Sequence, residues 1–371
     1  MPPDEPSWWY PSDGSGQLQQ TLLAPAAWLY GRMAQRRFEK NVSYRSRLPL
    51  ICVGNFTAGG TGKTPLTQLI VSLIMANGER PVVLSRGYGG AMRGPVFVDS
   101  QQHRAAEVGD EPLLLSQTVP VVISRDRRAG VQLIEAGSPA SGHGASGAGA
   151  SGAGGADAVI MDDGLQNAAL KKDLVIALVD GARGIGNGAV IPAGPLRAPM
   201  EFQFGLADAI VVNGRSTVEG RETAVLDELR RRFPGPVLEA RVTPAADVEW
   251  LGERPVLAYS GIGNPARFFT MLSGLGAKVV ETRTFGDHHQ FKEREASDLI
   301  AAAEALGAQL VTTEKDWVRL SREGGALEAL QQVSRPLPIR LTFDEQDGAR
   351  LASLVDAAVK TGGYRRGVPQ P

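Results

Sequence analysis

Lys63 and Thr64 stand directly behind Gly59, Gly60 and Gly62 and in front of a segment of helical character. A cation and a hydroxyl in that setting suit one kind of chemistry. Glycines let a backbone close on a polyphosphate with no Cβ in the way. The first amides and positive dipole end of the following helix face the same phosphates. Lys63 then reaches the β- and γ-phosphates, and Thr64 sets its hydroxyl on Mg²⁺. The whole stretch, Pro49 to Pro65, reads PLICVGNFTAGGTGKTP, and its apolar run Leu50-Ile51-Cys52-Val53 suits a buried parallel strand. The expected nucleotide contacts are Thr57, Ala58, Gly59, Gly60, Thr61, Gly62, Lys63 and Thr64. In G-x-x-x-x-G-K-[ST] the first glycine falls where this chain has Thr57, so the loop is a variant of G-G-x-G-K-T form.

Asp162 and Asp163 are the matching candidates for the metal. They follow Ala158-Val159-Ile160-Met161, and apolar residues ending in Asp form the strand whose carboxylate holds Mg²⁺ directly or through water. Ser85-Arg86-Gly87-Tyr88-Gly89-Gly90 closes the apolar run from Pro81, at the strand end where open α/β sheets bind ligands, and it also reads as a plain tight turn. Glu107, Asp110 and Glu111 precede the helix-like LLLSQ, as dipole complements or as functional groups. Arg125, Arg127 and Arg128 suit either a phosphate or a wet helix face. The Gly/Pro-rich segment with Arg183, Asn187 and Arg197 reads as a substrate-facing loop. His288 and His289, being adjacent, point apart and make no two-His metal site. One histidine beside Asp287 suits an oriented acid/base group. Gly261 and Gly263 read as a structural turn, and Thr313 to Trp317 as a capped helix start.

The elements that must hold these residues repeat as strand, loop and helix. Apolar strands at 50–53, 81–84, 120–124, 158–161, 174–179 and 207–212 alternate with helical segments such as 66–75. This predicts an α/β fold, a P-loop NTPase-type parallel sheet covered by helices. The texture changes near Ser216, so the expected division is a phosphate-loop domain over 1–215 and a smaller α/β domain over 216–371. Residues 137–156 are almost all Gly, Ala and Ser and read as a flexible insertion in which His143 has no role.

Lys+Arg 39 against Asp+Glu 40 leaves a net charge of -1, which argues against nucleic acid as a partner. Cys52, the one cysteine, excludes an internal disulfide and fits a reducing cytoplasm. The opening MPPDEPSWWYPSDG is acidic and Pro-rich, unlike a secretory signal, and Leu22 to Tyr30 is far short of the ~20 residues that span a bilayer. Residues 18–40 place Leu22, Leu23, Trp28, Leu29 and Tyr30 ahead of Arg32, Arg36, Arg37 and Lys40. That pattern fits an interfacial membrane helix or a helix packed on its own domain, and Pro25 weakens a single continuous helix.

In order and in spacing, VGNFTAGGTGKTP, LSRGYGG, GDEP, DDGLQN, IPAGPLR, SGIGNPARFF, DHHQF and TEKD resemble the tetraacyldisaccharide 4'-kinase (lipid A 4'-kinase) family over about residues 20–345. The resemblance implies a lipid kinase using ATP and Mg²⁺ to phosphorylate the 4'-hydroxyl of a tetraacylated glucosamine disaccharide 1-phosphate. It implies a peripheral protein at the cytoplasmic face of the bacterial inner membrane, seated by its first helix. It makes Asp110 and His288 the base that deprotonates the sugar hydroxyl, beside the catalytic Lys63. With Asp110 in the first expected domain and His288 in the second, that base would need domain closure. Asp162 and Asp163 become the metal pair, and Arg86, Tyr88, Gln166 and Arg197 line the substrate site. The family also shares the variant loop at Thr57. Two departures stand out: Asn167 replaces the His of D-D-G-x-Q-H, and Ala198 follows Arg197 where many members carry Glu, with Glu201 as the nearest substitute. A hydrolysis-driven P-loop switch and a kinase of a soluble metabolite are the rival readings.

Overall fold

The computed structural model describes residues 6–11, 16–60, 62–137, 155–214, 221–320 and 324–363. Thirteen strands run along them: β1 (Leu50–Asn55), β2 (Pro81–Ser85), β3 (Val96–Phe97), β4 (Val121–Ile123), β5 (Ala158–Asp162), β6 (Leu174–Asp180), β7 (Ala209–Asn213), β8 (Val237–Pro244), β9 (Val256–Ser260), β10 (Val279–Thr284), β11 (Gln309–Thr313), β12 (Ser334–Leu337) and β13 (Ile339–Phe343). Most of the Gly/Ala/Ser tract, with His143, and Thr61 of the phosphate loop lie outside the described residues.

The chain forms two compact units, and neither is continuous in sequence. The first comprises Met1–Leu84, Asp126–Val242 and Leu341–Pro371; the second comprises Ser85–Arg125 and Thr243–Arg340. This differs from the expected division at residue 215. The reason is burial: Ala105, Val108, Leu113, Leu114 and Ile123 pack with Val318, so an early excursion of the chain shares a core with a late one. No local change of composition marks such an excursion.

In the first unit β1 is central, parallel to β5 on one side and to β6 on the other. The order β8-β7-β6-β1-β5-β2 is parallel throughout. Every residue of β1, β2, β5, β6 and β7 is buried, as expected for continuous apolar strands covered on both faces. Cys52 is buried inside β1, where desolvation pushes its thiol up to about 11. The helix Gln17–Glu39 runs unbroken through Pro25, and its buried residues are Ala27 and Gly31.

The second unit has a parallel sheet in the order β10-β9-β11-β12. Alternate residues of β9 face opposite cores. Leu257 and Tyr259 pack with Phe291, Leu299 and Leu330, while Val256 and Ala258 pack with Phe268 and Leu272.

Candidate active site

The phosphate loop leaves β1 in the first unit. Gly59 and Gly62 have φ of 96 and 85, a region that L side chains rarely adopt. A Cβ at Gly62 would also lie 2.6 Å from Asn213 Nδ2. Thr57 behaves differently from the glycine it replaces. It forms an antiparallel bridge with Leu196, while Ala58 N donates to Pro195 O (2.8 Å) and Arg197 N donates to Phe56 O (2.9 Å). The backbone at 56–58 is therefore extended along the PLR segment, a conformation that suits Thr and gains nothing from glycine. Lys63 and Thr64 open the helix Lys63–Ala76. The Thr64 hydroxyl is buried with no hydrogen-bond partner among the described residues.

One strand over, Asp162 at the end of β5 is abreast of Val53. Its carbonyl accepts from Arg127 Nη2 at 3.1 Å. Arg127 is thus a buried support for the backbone at the end of β5, while Arg128 is exposed and lies over the Tyr44 ring at 5.1 Å, so the basic run is not uniformly wet. Asp163 has φ 52. Its carboxylate accepts from Arg197 Nη1 at 2.7 Å and lies 3.8 Å from Lys63 Nζ. Desolvation pushes that carboxyl up, but Lys63 and Arg197 outweigh it and hold it at about 2. Among the described residues no group of three His, Cys, Asp or Glu is arranged to hold a metal. Of the three expected metal ligands, the unpartnered Thr64 hydroxyl and the Asp162 carboxylate fit a divalent cation completed by phosphate and water, while the Asp163 carboxylate is engaged by Arg197 and Lys63.

Gln166 uses both amide hydrogens inside the protein, on Asn55 O (2.8 Å) and Gln203 Oε1 (2.7 Å). Gln203, wholly buried, donates to Phe56 O (3.2 Å) and Ala198 O (2.8 Å). The pair staples the start of the phosphate loop to the DDGLQN and PLRA segments, so Gln166 is a support whose donors are not open to substrate. Gln203 was missed in the sequence, where its only signal is one amide in the apolar MEFQF. Gln203→Ala is expected to leave one Gln166 N–H and the Ala198 carbonyl unsatisfied, since Phe56 O keeps Arg197 N, and to cost ~1–3 kcal/mol, read as a lowered denaturation midpoint; an unchanged midpoint would remove the staple role.

The family departures also have local accounts. Asn167 Oδ1 accepts from Ala169 N (3.0 Å), and its carbonyl accepts from Lys172 Nζ (2.6 Å), so it shapes its own turn. Ala198 is buried, and the exposed Glu201 pairs with Arg232 at 2.8 Å instead of facing Arg197.

Asp110 and His288 both belong to the second unit, which corrects the expectation that they come from different domains. Asp110 opens the helix Asp110–Leu115 after Gly109, where a Cβ would fall 2.5 Å from Tyr88 O. It is buried, and its Oδ2 accepts from His288 Nδ1 (3.2 Å), from Arg319 Nε (3.0 Å) and from Arg319 Nη2. Burial alone would push the Asp110 carboxyl up, yet the His288 hydrogen bond and the Arg319 and Lys315 cations hold it far below the usual carboxylate range. The Asp110 bond in turn raises the pKa of His288 against the effect of its own burial. A proton on Nδ1 facing Asp110 leaves Nε2 as the working nitrogen. His288 has φ 55, and its ring meets Tyr88 edge-on at 5.2 Å. Arg86 is exposed just beyond β2.

The neighbouring residues divide by role. His289 stacks on Phe285 at 5.0 Å and its Nε2 lies 2.8 Å from Glu295, so it packs the core. Glu107 caps its own short helix through Arg104 N (2.8 Å), and Glu111 pairs with Lys315. Thr313 does cap a helix, accepting from Asp316 N at 3.1 Å. That helix also delivers two buried residues, Asp316, which the sequence places only in a capped helix start, and Arg319, which no motif marks; their i, i+3 spacing puts them on one face. Gly261 lies against Asp316 and Gly263 against Asp287, which makes SGIG a packed structural turn.

Comparison with known proteins identifies the family and the fold. The chain matches the family described as LpxK, tetraacyldisaccharide-1-P 4'-kinase, over residues 19–360. A tetraacyldisaccharide 4'-kinase of Nitrobacter winogradskyi is 43% identical over 358 residues, 96% of this chain and 98% of that protein. One from Rhodopseudomonas palustris is 44% identical over 351 residues, 94% of each. A crystal structure of the "apo" form of LpxK from Aquifex aeolicus, in complex with ATP, superposes with a TM-score of 0.66 at 25% identity, covering 92% of this chain and 99% of that one. With the α/β fold and near full-length relatives in agreement, the chain belongs to the tetraacyldisaccharide-1-P 4'-kinase family.

Proposed function

We propose that this protein is an ATP-dependent kinase that phosphorylates the 4'-hydroxyl of tetraacyldisaccharide 1-phosphate in lipid A biosynthesis. The observation that carries the reading is the first unit's sheet: a glycine-rich loop ends β1 at Lys63 and Thr64, and Asp162 ends the adjacent parallel strand. The nucleotide phosphates take the amides of the loop and of the helix start, with Lys63 on the β- and γ-phosphates. Thr64 and Asp162 would hold Mg²⁺, which would supply neutralisation of charge on the phosphates. Asp163 keeps Lys63 and Arg197 oriented before substrate arrives, and Arg197, Arg86 and Tyr88 meet the acceptor. His288 Nε2 takes the proton of the 4'-hydroxyl as its oxygen bonds to the γ-phosphorus and the bond to the departing ADP breaks. Asp110 orients the imidazole and stabilises its charged form. The Asp110–His288 pair is already assembled within one unit, so forming the base requires no closure.

The first helix supplies the membrane contact. Leu18, Leu22, Trp28, Leu29, Tyr30 and Met33 are exposed, Leu22 at 71% and Trp28 at 67%, while small Ala27 and Gly31 face the protein. Arg32, Arg36, Arg37 and Lys40 follow. No described helix is long and apolar enough to cross a membrane. An exposed apolar stripe followed by cations suits an interface and attraction to anionic lipid, which supports reading the enzyme as a peripheral protein at the cytoplasmic face of the inner membrane. Leu22→Ser with Trp28→Ser is expected to weaken sedimentation with phosphatidylglycerol vesicles by roughly 10²–10⁴-fold, since each side chain contributes about 1.5–3 kcal/mol when buried; undiminished binding counts against this role.

The deciding assay incubates the protein with γ-labelled ATP and tetraacyl disaccharide 1-phosphate. Label in the lipid fraction supports the proposal. Lipid-independent release of phosphate would instead indicate a hydrolytic switch, and label only in an added soluble sugar a different acceptor.

A further inference from the structure

In the second unit three charged side chains are almost wholly withdrawn from water: Asp316 at 0%, Arg319 at 3% and Asp110 at 4% exposure. One guanidinium serves both carboxylates. Its Nε and Nη2 donate to Asp110 Oδ2, and its Nη1 donates to Asp316 Oδ1 (2.6 Å) and Gly261 O (2.7 Å). Asp316 is fixed from two strand ends as well, accepting from Ser260 Oγ (3.0 Å), Gly261 N (3.1 Å) and Thr313 Oγ1 (2.7 Å). Burying such a group has a desolvation cost, and packing alone is served as well by apolar side chains.

Charge balance indicates what the arrangement does. Two carboxylates and one guanidinium leave one negative charge in a poorly hydrated place. His288 answers it directly, through Nδ1 on Asp110, while the Lys315 cation beside Asp110 is shared with Glu111. We infer that Arg319 and Asp316 are positioning residues that set the proton affinity of His288, Arg319 by competing with the imidazolium for Asp110 and Asp316 by drawing part of the guanidinium charge away. The other groups around the imidazole are Asp287, 3.8 Å from Nε2, and the Tyr88 ring, with the Lys315–Glu111 pair beside Asp110. The geometry is one-sided: Arg319 reaches Asp110 by the edge carrying Nε and Nη2, and Asp316 by Nη1. The effect of Arg319 on His288 is accordingly a lowering that opposes the raising by Asp110.

The consequence for catalysis rests on His288 being the base of the proposed transfer, whereas the effect on its proton affinity does not. Two substitutions on one network then act in opposite directions. Asp316→Asn keeps Oδ1 as acceptor for Gly261 N and Arg319 and offers Nδ2 to the Ser260 and Thr313 hydroxyls. It leaves the whole guanidinium charge to Asp110, so the His288 titration moves down by about one pH unit. Arg319→Gln removes the competitor, and the titration moves up by a similar amount. Arg319→Lys keeps the charge, leaving the titration near its wild-type position while lost bidentate geometry lowers kcat.

The test is NMR titration of the His288 imidazole in the full chain, with pH profiles of kcat/KM for the same variants. Opposite shifts of the imidazole titration, mirrored in the acid limb of kcat/KM, are expected. Shifts in the same direction, or none, overturn the inference. Should Arg319→Gln fail to fold, the downward shift in Asp316→Asn decides alone. Opposite imidazole shifts in a protein that labels no lipid would keep the proton-affinity inference and sink the kinase reading. Lipid labelling with an unmoved imidazole would do the reverse.

Discussion

Lys63→Ala is expected to abolish nearly all transfer of label from ATP to the tetraacyl disaccharide, a loss of about 10³-fold or more in kcat/KM, or about 4 kcal/mol of transition-state stabilisation. The argument is electrostatic. Phosphoryl transfer involves little covalent chemistry by the protein, so catalysis depends on positioning and on charge placed where the transferring group passes. Lys63 is 8% exposed at the start of a helix, where a cation is worth more than in water, and Asp163 holds it ready at 3.8 Å. The fold should survive, because Asp163 keeps its shorter pair with Arg197 at 2.7 Å. The measurement is the lipid-labelling assay on a variant with an unchanged circular dichroism spectrum. Turnover at the wild-type rate would refute the phosphate-loop assignment.

His288→Ala should lower kcat by roughly 10²–10⁴-fold, the usual worth of a positioned acid/base group, with little change in the KM for ATP. The separation follows from where the groups belong: the nucleotide loop is in the first unit and His288 in the second. A change confined to KM would reassign His288 to binding. The pH dependence has a definite sign. His288 acts as a base only when Nε2 is unprotonated, and the Asp110 hydrogen bond raises its pKa. Activity is therefore full at high pH and is lost as pH falls through a value above the usual histidine pKa of about 6.5. Asp110→Asn removes the group that raises it. The remaining activity should then persist to lower pH, at a reduced kcat, and an acid limb that stays in place would show that Asp110 does not act through the imidazole.

Two further features separate what was legible locally from what was not. The central strands of the sheet were legible because they are fully buried: a parallel strand covered on both faces must be a continuous apolar run, as Leu50 to Val53 and Ala158 to Met161 are. The division into units was not. Ser85–Arg125 joins Thr243–Arg340 through side-chain burial between segments some two hundred residues apart, and hydrophobic periodicity carries no information about which apolar face meets which. The two adjacent histidines make the same point at the scale of one residue. Both sit in DHHQF, yet one faces Asp110 and the other is stacked on Phe285 beside Glu295.

The sequence by itself determined the glycine-rich loop that opens a helix after β1, the carboxylates closing the neighbouring strand and the apolar, basic-tailed first helix. In each of these the signal lies within about twenty consecutive residues, because glycine conformation, strand burial and helix dipole are local physics. Only the tertiary structure decided that Asp110 and His288 share a unit, that Arg319 and Asp316 stand behind them, that Thr57 is extended against Leu196, and that Gln203 holds Gln166. The physical reason is common to all four. A buried charge or amide must find its partner or bear the full cost of desolvation, and folding satisfies that demand with whichever residue the packing brings near, however distant in the chain.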